Sequence, residues 1–177
     1  MPSGETEEHR QFREYFTARR ELVRRTAYVL CGDWHWADDL AQTAFMRLAV
    51  NWRKVRDQQA LDAYVRTCLV RAYLSDARRM WRRRERSTAE LPERAAVAGP
   101  TDGAAGRLTF AVALRRLAPR QRAVLVCRYY QDLDVAATAA TLGCSVGTVK
   151  SHAARGLARL RELLGQDGEL TMVGGDQ

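Results

Sequence analysis

No stretch of this chain is apolar over the about 18 residues that a membrane helix needs, so membrane insertion is not expected. Met1 to Arg10 is polar and charged and has no apolar signal-peptide core, which makes a cytoplasmic location the expectation. Cysteine is scarce and dispersed: Cys31, Cys68, Cys127 and Cys144 form no CxxC pair. Neither a zinc ribbon nor a thioredoxin-type redox site is signalled. Cys31 and His35 have a ligand-like spacing but no second pair, so reduced thiols are expected and no metal is. There is no Walker-type glycine loop, no dinucleotide fingerprint and no assignable Ser/His/Asp or Cys/His grouping. No cofactor and no enzyme active site are expected. Strand patterning and internal repeats are missing as well.

What remains is charge and helical periodicity. The 177 residues carry 29 basic and 21 acidic side chains, a net charge of +8, which favours a polyanionic partner without identifying it. Phe12, Tyr15, Phe16, Leu22, Val23, Ala27 and Leu30 recur at helical intervals, with Arg19 able to lay its stem along the stripe. Gly32 is a natural C-cap. A second helix is expected from about Ala37 to Val50, with Leu40, Ala44, Phe45 and Leu48 inward and Asp38 and Asp39 at its positive end. A third runs from about Leu61 to Arg86, with Tyr64, Cys68, Leu69, Tyr73 and Met80 inward.

From Ser87 to Gly106 alanine, glycine and proline displace the apolar pattern, as in a flexible tether. Helical patterning then resumes over Leu108 to Leu117 and from Pro119, which suits the first turn of a helix. The expected organisation is all-α: a helical domain over 10–86, a linker over 87–106, a second helical domain over 107–164 and a disordered, glycine-rich tail over 165–177.

The stretch Asp134 to His152 reads as a helix-turn-helix. Small Ala139 permits close helix approach, Gly143 supplies the positive φ of the turn, and Ser145 can cap the second helix. Val146 and Val149 are expected to point inward, leaving Thr148, Lys150, Ser151, His152 and Arg155 on or near the outer face. A helix of this kind enters a DNA major groove with its N-terminal half toward the bases.

A second basic element lies on the third helix, where Arg66, Arg71, Arg78, Arg79, Arg82, Arg83, Arg84 and Arg86 face only Asp62, Asp76 and Glu85. Like charges as dense as Arg82 to Arg84 repel unless a polyanion neutralises them. Aromatic faces such as Trp52, Tyr64 and Trp81 can hold unstacked bases at about 1–3 kcal/mol each, although the spacing of Tyr73 favours a core role.

Several ordered segments together carry a family resemblance. They are Ala27 to His35, Ala37 to Ala44, Ala63 to Thr67, Leu117 to Arg122 and Leu142 to His152. Over Phe12 to Leu164 the chain resembles a bacterial RNA polymerase sigma factor of the extracytoplasmic-function group, SigE-type. The resemblance implies a σ2 domain, a linker and a σ4 domain, promoter DNA and core RNA polymerase (β′ clamp helices and β flap) as partners, and an anti-sigma protein as a further candidate. It places Asp39 and Gln42 against the polymerase clamp. Trp52, Lys54, Arg56, Tyr64 and Arg71 fall at the melted strand of the downstream (−10) element. Lys150, Ser151 and Arg155 fall at the base edges of the upstream (−35) element, with a preference for guanine. Ser145, Thr148, Arg78, Arg79, Arg82 and Arg83 are left to phosphates. Thr43, Arg71 and Ala137 stand where many relatives carry an acidic residue, Asn and Glu. The rival readings are a dimeric DNA-binding regulator that acts without polymerase and an inactive module that sequesters an anti-sigma protein.

Overall fold

The computed structural model describes residues 6–55, 57–86 and 105–172. Arg56 and most of the expected linker lie outside the described residues. Among those described, the regular structure is helical throughout: α1 (Glu7–Cys31), α2 (Trp34–Asn51), a 3₁₀ turn (Trp52–Lys54), α3 (Gln58–Arg86), α4 (Ala105–Arg115), α5 (Pro119–Leu125) leading into a π turn (Val126–Tyr130), α6 (Val135–Leu142) and α7 (Val146–Met172). The chain divides into two compact units, Met1–Tyr73 and Leu74–Gln177. Within α3 the buried positions end at Leu74, and Arg78 to Arg86 are all exposed.

In the first unit, Thr6 caps α1 by accepting the His9 N–H, and Glu7 and Glu8 sit favourably in the first turn. Gly32 ends the helix at φ 74°, a conformation that would strain a residue with a Cβ. Asp33 then caps α2, accepting the Trp36 N–H at 2.8 Å. The helix therefore starts at Trp34, ahead of the expected Ala37, and Asp38 and Asp39 lie beyond its first turn. Asp38 is instead ion-paired with Arg24 of α1, which holds its carboxyl below the usual range.

The unit's core is built from Tyr15, Ala27, Leu30, Leu40, Ala44, Phe45, Leu48, Val65, Leu69 and Tyr73. Tyr73 is 1% exposed and packs against Trp36 at 5.7 Å, which bears out its core role. Asp62 of α3 accepts hydrogen bonds from Tyr15 Oη (2.8 Å) and Arg19 Nη2 (3.0 Å), so the Arg19 head is paired rather than left to water. Leu22 and Met80 were expected inward but are 52% and 40% exposed. Helical spacing gives a side chain's direction and does not say whether a neighbour covers it.

In the second unit Pro119 occupies the start of α5, where its missing N–H costs no hydrogen bond. Arg122 is buried, and its guanidinium donates to the carbonyls of Arg115 and Leu117. It thereby satisfies acceptors that the end of α4 leaves unpaired. Val124, Val126, Cys127, Leu142, Val149, Leu160 and Leu163 complete the core. The last helix runs through Gly165 to Met172, beyond the expected end at Leu164, where a disordered tail had been expected to begin.

Candidate nucleic-acid interface

The helix-turn-helix is closed by capping at three points. Asp134 accepts the Ala137 N–H at 2.6 Å and starts α6. At the other end Gly143 adopts φ 66° and ψ 44°. The Cys144 N–H reaches Ala139 O at 3.0 Å and the Gly143 N–H reaches Ala140 O at 3.3 Å. These are the two bonds of a Schellman turn, which sends the chain sharply away from α6. Ser145 then caps α7, accepting the Thr148 N–H at 3.1 Å, and its hydroxyl pairs with the Thr148 hydroxyl at 2.9 Å. Val149 is fully buried and anchors α7. Val146, expected to join it, is 44% exposed, because two positions three residues apart differ by about 60° around a helix.

That anchoring leaves Lys150, Ser151 and Arg155 exposed together on α7. Arg155 Nη2 donates to Ser151 Oγ at 2.7 Å and its Nε to the Ser151 carbonyl at 3.3 Å. The two side chains thus form one preorganised polar unit, a hydroxyl with its proton still available beside a guanidinium. Thr148 is half-buried and its hydroxyl is shared with that of Ser145, so the pair together keeps one hydroxyl proton for a phosphate.

On α3, Arg78, Arg79, Arg82 and Arg83 are exposed; Arg79 stands 3.8 Å from Asp76. Trp81 is 64% exposed and its indole N–H donates to Glu85 at 2.7 Å, which steadies a bare aromatic surface beside the arginines. Lys54 and Arg71 are exposed. Tyr64 is half-buried and hydrogen-bonded to Cys68; burial, then the Cys68 thiol, raises its hydroxyl's pKa. Trp52 is a departure from the simple picture of a free stacking platform. Its ring packs edge-on against Phe12 at 5.3 Å and against Tyr15 at 5.9 Å, so only the part left uncovered can meet a base.

Asp39 and Gln42 are exposed on α2. The Asp39 carbonyl accepts the Thr43 hydroxyl at 2.9 Å, so the residue in the usual acidic position is turned back onto the helix. Gln42 borders a cleft of about 680 Å³ between α1 and α2, floored by Phe12, Phe16, Phe45 and Met46. Beside it Tyr28 and Trp34 stack at 4.0 Å with Arg24 4.3 Å above the Trp34 ring. Sequence periodicity had no signal for this stack, because the turn at Gly32 and Asp33 creates it.

A helix-turn-helix with an exposed basic reading face, on a chain that also carries an arginine-rich helix, defines an all-α DNA-binding protein of transcription. Comparison with known proteins narrows the class. Residues 15–84 match the family model for sigma-70 region 2, and residues 107–160 match that for sigma-70 region 4. The chain is 40% identical over 157 residues to the RNA polymerase sigma-E factor of Streptomyces avermitilis, covering 87% of this chain and 85% of that protein. It is 32% identical over 154 residues to the ECF RNA polymerase sigma factor SigM of Mycobacterium tuberculosis, covering 87% and 77%. Among solved structures it is similar to the sigma factor RpoE of Bartonella quintana, seen in complex with the anti-sigma factor NepR. The TM-score is 0.72 at 26% identity, covering 88% of this chain and 98% of that one. The chain belongs to the RNA polymerase sigma factors, in the extracytoplasmic-function group, whose role is promoter recognition in transcription initiation.

Proposed function

We propose that this sigma factor divides promoter recognition between its two basic elements and itself catalyses no reaction. Lys150, Ser151 and Arg155 read base edges of the upstream element from α7, with guanine O6 and N7 the natural acceptors for the two cations. Ser145 and Thr148 hold phosphates. Lys54, Tyr64, Arg71 and the uncovered part of Trp52, together with Arg56, receive the melted downstream strand. Arg78, Arg79, Arg82 and Arg83 follow its backbone. Capturing unstacked bases offsets part of the opening cost, a few kcal/mol, without ATP.

Asp39 and Gln42 face the β′ clamp helices of core polymerase, and residues 107–164 meet the β flap. Residues 87–106 serve as the tether between the parts 10–86 and 107–164, which raises the effective concentration of the second contact once the first is made. The complex of the similar RpoE with NepR supports an anti-sigma protein as a further partner. The place of action is the cytoplasm, and among the described residues no helix is long and apolar enough to cross a membrane.

The observation that carries this reading is the exposed trio Lys150, Ser151 and Arg155, set beyond a capped turn on a buried Val149. Run-off transcription from a genomic promoter pool, with core polymerase and with or without this chain, tests it. Expected are transcripts that need the chain and share two motifs at a fixed spacing. Silence with core polymerase, together with binding to palindromic duplexes by the chain alone, would make it a dimeric regulator instead.

A further inference from the structure

The cleft between α1 and α2 has a floor of rings fixed against one another. Phe45 meets Phe16 edge-on at 4.8 Å, Phe16 lies nearly parallel to Phe12 at 6.4 Å, and Phe12 meets Trp52 at 5.3 Å. Rings held in this way do not fold into the space beside them, so the cleft is ready for a ligand without rearrangement. Ala41 and Ala49 line its α2 side with no more than a methyl group each. Its volume of about 680 Å³ falls in the range of about 300–1,000 Å³ typical of small-molecule sites.

Four charged side chains border the cleft, and three of them are engaged. Arg24 pairs with Asp38 across the two helices, and Glu21 pairs with Arg25 at 2.9 Å. Arg20 is exposed and makes no ion pair among the described residues. From Phe12 to Arg20 helix α1 advances about 12 Å, so the floor is elongated and carries its one unneutralised cation toward one end. An aromatic floor of that length suits an extended apolar chain, and a guanidinium without a partner suits a carboxylate at its head. Gln42 on the α2 side adds an amide donor.

We propose that this cleft binds a medium-chain fatty carboxylate, its acyl chain along Phe12, Phe16, Phe45 and Met46 and its head on Arg20. Such a ligand covers the Gln42 side of α2, so the bound chain and core polymerase exclude each other. That consequence rests on the placing of Asp39 and Gln42 at the clamp; the site itself does not.

Decanoate, kept below its micelle-forming concentration, is the probe, and isotope-labelled methionine methyl groups of the full chain are the reporters. Met46→Leu identifies the Met46 signal, and Met80, which does not line the cleft, is the control. Decanoate is expected to shift Met46 saturably and to leave Met80 in place. Decyltrimethylammonium, the same chain with a cationic head, should need about tenfold more, the rough worth of a hydrogen bond to a charged group. Arg20→Gln should bring the two probes to similar affinity. Met46→Asp, at a position 62% exposed and so tolerated by the fold, should weaken decanoate about tenfold in calorimetry by setting a carboxylate beside the chain. Equal affinity of wild type for the two probes, or equal shifts at Met46 and Met80, overturns the site and leaves a non-specific detergent contact. Saturating decanoate should also lower the fraction of chain bound to limiting core polymerase, and Arg20→Gln should need about tenfold more for the same effect. If Met46 reports saturable, head-selective binding while polymerase association is unchanged, the site stands and the placing of Gln42 at the clamp falls.

Discussion

Arg155 and Ser151 are bonded to each other before any DNA arrives, which fixes where a guanidinium can reach from α7. Such preorganisation lowers the ordering cost of a base contact. Arg155→Ala is expected to weaken one position of the upstream element by about 1–3 kcal/mol and to relax its sequence preference there. Competition binding with duplexes varied one base pair at a time measures this, and an equal loss for all sequences would reassign Arg155 to a phosphate. Tyr15 gives a second expectation for a single side chain. Burial, and then its hydrogen bond to the Asp62 carboxylate, raises its pKa well above the ordinary 10.0. Folding therefore favours the protonated phenol. The associated stability is complete below about pH 10 and is lost as pH rises from the unfolded value through the folded one. Denaturation midpoints measured from neutral pH upward should fall more steeply above pH 10 for wild type than for Tyr15→Phe, although the variant starts lower for want of the hydrogen bond.

Gly143 and the helix pair it joins show what an element can require of one position. Its φ of 66° is the left-handed region, where a Cβ costs about 1–2 kcal/mol. Gly143→Ala should lower the thermal midpoint accordingly, and Gly143→Asn should recover part of the loss, because Asn tolerates this conformation. If Ala were neutral, the turn would not hold α7 at its present angle. These local requirements were legible: the glycine, the Ser145 cap and the inward Val149 all stand where backbone chemistry wants them. Helix starts were less legible. Asp38 and Asp39 look like a helix N-terminus, yet Asp33 caps α2 first and Asp38 turns to Arg24, a partner fourteen residues away along the chain. A long-range pairing of that kind leaves no periodic trace.

Across the whole molecule, the net charge of +8 includes the exposed arginines of α3 and the exposed Lys150 and Arg155 of α7, to which we assign different work. The two groups of side chains are expected to behave differently. Replacing Arg82 and Arg83 by Ala should weaken all promoters alike in transcription with core polymerase, and should reduce the salt slope by about 0.7 for each single-strand phosphate left unneutralised. Changes at Lys150 or Arg155 should alter which promoters are used. Promoter-pool sequencing at two salt concentrations separates the outcomes. A sequence-selective effect of Arg82 and Arg83 would contradict their role at the DNA backbone.

The sequence by itself determined the all-α class, the helix-turn-helix with its caps, the arginine density of α3 and the family, because each follows from local backbone chemistry, periodicity or ordered motifs. Only the tertiary structure decided which of those side chains are free to act. Trp52 is partly spent on Phe12 and Tyr15, Leu22 and Val146 are uncovered, and Arg122 of an otherwise surface-like motif is buried to close the end of α4. The close meeting of α5 and α7 at Gly156, where a Cβ would lie 3.2 Å from Leu125 Cδ1, is of the same kind, because the approach of separate helices is set by packing rather than by either helix's own sequence.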